Sequence, residues 1–92
     1  MTTAYRLRIS EIAEWEIRRL PGHVKQRARR IINGLADNPR PIDAKELRGR
    51  AGRYRIRLDK WRIIYRVNDS IQVVEIVGVR RKTGPETYED VE

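Results

Sequence analysis

Five arginines stand at alternate positions in two short runs: Arg53, Arg55 and Arg57 in RYRIRL, and Arg62 and Arg66 in WRIIYRV. Strict alternation sends successive side chains to opposite faces of a strand, so each run reads as a strand with one apolar and one basic side. Asp59-Lys60 between them suits a two-residue hairpin loop, and the register then follows by counting. Leu58 faces Trp61, Ile56 faces Ile63 and Tyr54 faces Tyr65; with Val67 these make one apolar face. The other face carries Arg53, Arg55, Arg57, Arg62, Ile64 and Arg66, with Arg57 opposite Arg62 and Arg53 opposite Arg66. Like charges opposed across a sheet repel, so a face that had only to be wetted would mix its signs. A guanidinium presents a fork of donors that matches phosphate oxygens, and a patch of them fits an anionic ligand. The competing reading is a solvated strand face, eased by salt and by neighbouring acids.

Composition narrows the chemistry. Over 92 residues the net charge is +8, which points to nucleic acid, an acidic protein or an anionic membrane surface. The chain has no cysteine and one histidine, His23. That rules out disulfides, thiolate metal sites and a cysteine nucleophile; no metal and no cofactor are expected, and a reducing cytoplasm fits. No apolar run reaches the length of a membrane span, and MTTAYRLRIS lacks the apolar centre of a signal peptide. Hydrophobic residues make up 39% with no Phe, so two Trp and four Tyr carry the aromatic packing of one small domain, residues 1–92.

The elements that must position the arginines follow in order. Tyr5 to Ile9 alternates as a first strand, Ser10 is placed to cap a helix, and Glu11 to Leu20 reads as that helix with Ala13, Ile17 and Leu20 on one face. Glu11, Glu14 and Glu16 on it read as a solvated face. Pro21-Gly22 interrupts. A second helix runs from Val24 to about Asn38, with Val24, Ala28, Ile31 and Leu35 on its apolar face and Ile32 beside them, and stops before Pro39. Lys45 to Gly52 is a glycine-punctuated approach to the hairpin. Asn68-Asp69 then suits a tight turn, and Ile71 to Val77 reads as the last strand. A two-residue turn at 68–69 would set Glu75 opposite Arg62. The basic run Arg80-Arg81-Lys82 and the acidic segment 86–92 follow. The order β-α-α-β-β-β predicts an α+β layer fold, two helices on a mainly antiparallel four-stranded sheet.

In this order and spacing the motifs resemble the RelE/ParE superfamily of toxin–antitoxin toxins, the RelE branch most. They are Leu20-Pro21, Leu35-x-x-Asn38-Pro39, Lys45-x-Leu47-x-Gly49, Tyr54-Arg55-Ile56-Arg57, Trp61-Arg62-Ile63-Ile64-Tyr65-Arg66-Val67 and Val77-Gly78-x-Arg80, with the later Tyr88. The resemblance covers nearly the whole chain. It implies a RelE-like microbial RNase fold and a ribosome-dependent mRNA endonuclease that cleaves within a codon in the A site. It also implies inhibition by a cognate, RelB-like antitoxin. Matched residue by residue, the family's active site falls on Arg55, Arg57, Arg62, Arg80 and Tyr88, and a basic RNA contact falls on Arg48. Arg53, Arg66 and Arg81 join Arg48 and Arg55 as expected phosphate contacts.

The resemblance also distributes roles. Arg57 and Arg62 would stabilise the charge of the phosphorane, with Arg55 on a neighbouring phosphate. Tyr88 would take the 2′-OH proton, because adjacent guanidiniums favour a phenolate. Arg80 would stabilise the leaving 5′-oxygen, since an arginine stays protonated. Some relatives have lysine at the hairpin positions where this chain has arginine, and the stretch from Arg80 to Tyr88 is longer around Gly84-Pro85. Arg80 shares strand parity with Gly78, so a bulge at the glycine is needed to re-aim it. Two other readings remain: a ParE-like toxin, which has the same fold but acts on DNA gyrase, and an RNA-binding module without catalysis, held by counterion release.

Overall fold

The computed structural model describes residues 4–81. The expectations for Tyr88 and for the segment 86–92 lie outside the described residues. Strand β1 (Arg6–Ile9) leads into helix α1 (Glu11–Arg18), and helix α2 (Gly22–Gly34) follows. Ser10 caps α1 as expected: its Oγ accepts from the Ala13 amide at 3.0 Å. The helix ends before Leu20 because the Arg19 and Leu20 amides bond three residues back, to Glu16 and Ile17, which tightens the chain into Pro21. Ala13, Ile17 and Leu20 meet Val24, Ala28, Ile32 and Leu35 in the core. Ile32 takes the fully buried place expected of Ile31, which is only partly covered.

The sheet has five strands among the described residues, in the order β1-β5-β4-β3-β2. To β1 it adds β2 (Lys45–Glu46), β3 (Arg53–Leu58), β4 (Trp61–Asn68) and β5 (Val73–Arg81). β1 runs parallel to β5, and every other neighbour is antiparallel. The four-stranded expectation missed β2, a strand too short to show alternation and recognisable only by its pairing, Lys45 with Arg55 and Glu46 with Tyr54. Gly49 and Gly52, at φ 74 and 81, turn the chain between β2 and β3, and the Glu46 carboxylate accepts from the Gly52 amide at 2.9 Å.

The β3–β4 register is the one counted from the sequence, from Leu58↔Trp61 to Arg53↔Arg66. Asp59 takes φ 56 in the turn, a conformation its short polar side chain tolerates, and its carboxylate accepts from Arg27 of α2 at 3.1 Å. The next connection differs. Asn68 pairs with Val73, so four residues, 69–72, make the turn, and β5 starts at Val73 rather than Ile71. The Asn68 side chain holds this turn by accepting from the Ser70 and Ile71 amides. Glu75 therefore lies opposite Arg66, not Arg62, and is ion-paired with it on the expected face.

A polar clamp closes this end of the sheet. Arg40, from the loop after α2, grips Asp69 with both terminal nitrogens, at 3.2 and 2.8 Å, and donates from Nε to the Tyr54 hydroxyl at 2.8 Å. Tyr5 donates to the same Asp69 carboxylate at 2.6 Å. Tyr54 stacks on Tyr65, ring centroids 5.7 Å apart, and the Tyr65 hydroxyl donates to the Pro39 carbonyl. Burial pushes the Tyr65 phenol well above its ordinary value and keeps it a donor. The loop Asn38 to Ala44 is thus tied to β3, to β4 and to the turn after β4 by contacts that no local pattern announces.

Hydrogen bonds from Arg40 and then Tyr5 hold the Asp69 carboxyl below the usual carboxylate range. A carboxylate with a depressed folded-state pKa adds stability above its unfolded value, about 3.9, and loses that contribution as pH falls through the folded value. Asp69→Asn should therefore flatten the acid limb of stability. Its urea midpoint should fall less between about pH 5 and about pH 2 than that of the wild type. Parallel falls would exclude Asp69 from the acid-labile groups.

Candidate functional site

On the face away from the helices, pairing arranges side chains in rows across the strands. The row nearest the β3–β4 turn is Arg57–Arg62–Arg80, three arginines at directly opposed positions of β3, β4 and β5. Neighbouring strands lie about 4.8 Å apart, so the row concentrates three guanidinium stems within about 10 Å. The next row is Lys45–Arg55–Ile64–Gly78. The third is Arg53–Arg66–Glu75–Arg8, where Glu75 stands between two arginines. Positive charge is therefore partly neutralised at one end of the face and concentrated at the other.

Arg62 is the centre of the first row and is only 6% exposed, the one charged residue among the described residues that is buried. Beside it on the same face Ile64 is fully buried. A guanidinium in so dry a setting acts on a bound anion with less dielectric loss than one in water. Arg57 is exposed and Arg80 half-exposed, so the row runs from solvent to interior and out again.

Arg80 reaches the row through a bulge. Ile64 pairs with Gly78 while Tyr65 pairs with Ile76, which leaves Val77 as the extra residue. Without it Arg80 would share the core face with Val74 and Ile76; with it Val79 turns to the core and Arg80 stands opposite Arg62. Gly78 itself makes room. A Cβ there would lie 2.8 Å from Glu16 Oε1 and 3.0 Å from both Nε and one terminal nitrogen of Arg80. Glu16 of α1 uses Oε1 to accept from the Val79 amide at 2.9 Å, where β1 no longer covers the β5 edge. Its Oε2 lies 3.5 Å from Arg80 Nε. Glu16 is thus a positioning residue that the sequence reading assigned to a solvated face. Its neighbour Glu14 is also engaged: hydrogen bonds from Arg29, then Arg18, hold its carboxyl low. Only topology brings these acids to their partners.

The remaining expected residues divide. Arg55 and Arg57 share a recess of about 410 Å³ with Asp43 and Lys45. Lys45 extends the basic face, and its two-residue strand is too short for alternation to announce it. Arg48 is exposed in the β2–β3 connection, beside Arg50. Arg53 and Arg66 belong to the far row. Arg81 pairs with Trp61 and so lies on the opposite face from Arg80. Tyr88 lies outside the described residues.

A family model, the ParE toxin of type II toxin–antitoxin systems, matches residues 7–83. The chain belongs to that toxin family. The mRNA interferase toxin RelE of Escherichia coli K12 is 32% identical over 89 residues, covering 95% of this chain and 93% of its own. The crystal structure of the isolated E. coli RelE toxin superposes with a TM-score of 0.77 at 29% identity, over 96% of this chain and 95% of that one. The toxin of the intact E. coli RelBE toxin–antitoxin complex gives 0.77 at 31%, over 88% of this chain and all of that one. Two helices on a mostly antiparallel sheet is the fold these toxins share with this chain, and the family expected from the motifs is the family found.

Gly78→Ala tests the bulge. The chain should still fold, since the added carbon meets only the ends of side chains, but Glu16 must leave the Val79 amide and Arg80 must move. We expect a loss of about 1 kcal/mol and faster hydrogen exchange at Val79. An amide as protected as in the wild type would show that the space at residue 78 is not needed.

Proposed function

We propose that this toxin is a ribosome-dependent mRNA endonuclease that cleaves the message in the A site and so stops translation. The observation that carries this reading is the Arg57–Arg62–Arg80 row, built on a buried arginine and aimed by a bulge. The mRNA interferases at 32% identity support the same chemistry. In this mechanism the RNA backbone lies across the row. The 2′-OH attacks the adjacent phosphorus, Arg57 and Arg62 meet the charge that develops on the phosphorane oxygens, and Arg55 holds a neighbouring phosphate. Arg80 stabilises the departing 5′-oxygen. Tyr88, outside the described residues, is the proposed general base, since a phenol brought beside guanidiniums becomes more acidic. The donor set supports a metal-independent route: the chain has no cysteine and one histidine. Among the described residues no group of His, Asp and Glu is placed to hold an ion.

A cognate RelB-like antitoxin is the proposed partner, its acidic segment covering the basic face. Solved relatives from E. coli and Pyrococcus horikoshii are toxin–antitoxin complexes. The proposed place of action is the cytoplasm, where the ribosomes are; no helix among the described residues is long and apolar enough to cross a membrane. A second reading, poisoning of DNA gyrase, is favoured by the ParE name of the matching family.

Cleavage of a message on programmed ribosomes, mapped by primer extension, separates the two. Wild type should give codon-positioned cuts, and Arg57→Ala or Arg62→Ala should slow them about 100- to 1000-fold, the range for removing one preorganised charge donor. Because Arg62 is buried, its variant needs a melting curve alongside, whereas Arg57 is exposed. Growth arrest without cuts would turn the assignment to gyrase. Adding the antitoxin in excess of its dissociation constant should raise the melting temperature by mass action; an unchanged value would exclude it as the partner of the folded toxin.

A further inference from the structure

Beyond Arg80 the arginine row opens at the sheet edge into a cleft of about 330 Å³. Its walls include Trp15 of α1, Arg19 just past the end of that helix, Trp61 at the start of β4, and Val79, Arg80 and Arg81. We infer that this cleft takes one nucleobase of the RNA strand whose phosphates lie on the row, stacked on the Trp15 indole. The inference rests on the nuclease reading and names a base-stacking residue for it.

Three observations lead there. First, Trp15 is 58% exposed, on a different side of α1 from the buried Ala13 and Ile17. An indole held out in water beside a cationic wall is a poor choice for stability and a good one for stacking. Second, the indole is already oriented: the Arg19 guanidinium lies over one face of the ring, 4.6 Å from its centroid, so a base would stack on the other face. Third, Arg80 belongs both to the row and to the cleft wall, so a strand held by its phosphate on Arg80 carries a base directly to the tryptophans. Among the described residues lining the cleft, Glu16 is the one carboxylate, engaged with the Val79 amide and with Arg80, and against Arg19, Arg80 and Arg81 it leaves the lining net positive. An apolar ring with a cationic rim matches the two halves of a nucleotide, a flat π-face and an anionic phosphate. Every base has such a face, so the stacking would position the strand without strong sequence preference.

The test uses the full chain with Trp61→Phe, which leaves Trp15 as the sole tryptophan. A non-cleavable 2′-O-methyl oligonucleotide should quench Trp15 fluorescence, and an abasic oligomer of equal length should bind without quenching. Trp15→Ala, with Trp61 retained, should weaken the base-bearing oligomer by at least about fivefold and leave the abasic one unchanged, while Trp15→Phe restores most of the affinity. Equal affinities, or no quenching, would overturn the inference. So would quenching by an acidic peptide where the oligonucleotide gives none, which would assign the cleft to a protein. Ribosomal cleavage is scored separately: cuts at the wild-type rate in Trp15→Ala, without quenching, remove the cleft but leave the nuclease, whereas absence of cuts in the wild type defeats the nuclease reading itself.

Discussion

Three arginines held opposite one another across adjacent strands repel, and the rest of the fold has to hold them there. Opposed like charges weaken a sheet by some tenths of a kcal/mol per pair, and a buried guanidinium adds desolvation. The compensation is the apolar face behind the row. Leu58, Ile63 and Val79 are all nearly or fully buried against the helices. Each fully buried aliphatic side chain contributes about 1.5–3 kcal/mol, so that packing outweighs the repulsion it sits behind. The same alternation that sends these residues inward sends Arg57, Arg62 and Arg80 outward, so the core and the charged row are fixed by one register.

That register is set by two devices of different kinds. The Asp59-Lys60 turn is local: two residues, one positive φ, and every pair in the hairpin follows. The Val77 bulge is not. It is only useful because α1 brings Glu16 to the bare edge of β5, accepting from Val79, and because Gly78 leaves the space that Glu16 and Arg80 occupy. Past the end of β1 this part of β5 has no strand on that side, and a helix side chain takes the place of one. The helix is thus a structural part of the row, although it contributes no residue to it.

The contrast explains what could be read from the chain. Alternation over six to eight residues with a two-residue turn determines its own pairing, and the β3–β4 register was legible to the residue. The α+β order was legible because Ser10, Pro21 and Pro39 punctuate it. A two-residue strand carries no period, so β2 was not visible, and neither was Lys45 on the basic face. The Asn68-Asp69 pair signalled a turn correctly but not its length; Asn68 bonds the amides two and three residues on and so encloses a longer loop. Glu16 could not be found from sequence at all, because its partners are more than sixty residues away and its own helix position looks like any solvated one.

The distribution of acids shows how the fold separates stability from chemistry. Asp69 is spent on Arg40 and Tyr5, Glu75 on Arg66, Glu14 on Arg18 and Arg29, and Asp59 on Arg27. None of these carboxylates lies in the Arg57–Arg62–Arg80 row. The Arg40 clamp and the Glu75 row stand at the far end of the strands from the turn at Asp59-Lys60, so the neutralised half of the sheet anchors the half that stays positive. Ion pairs this exposed add little each. Their placement matters more than their strength, because a carboxylate standing in the row itself would compete for the guanidiniums that the proposed mechanism sets on phosphate. Self-repulsion is relieved at the far end of the face by Glu75, and in the row proposed to bind an anion it is eased only at Arg80, where Glu16 lies 3.5 Å away.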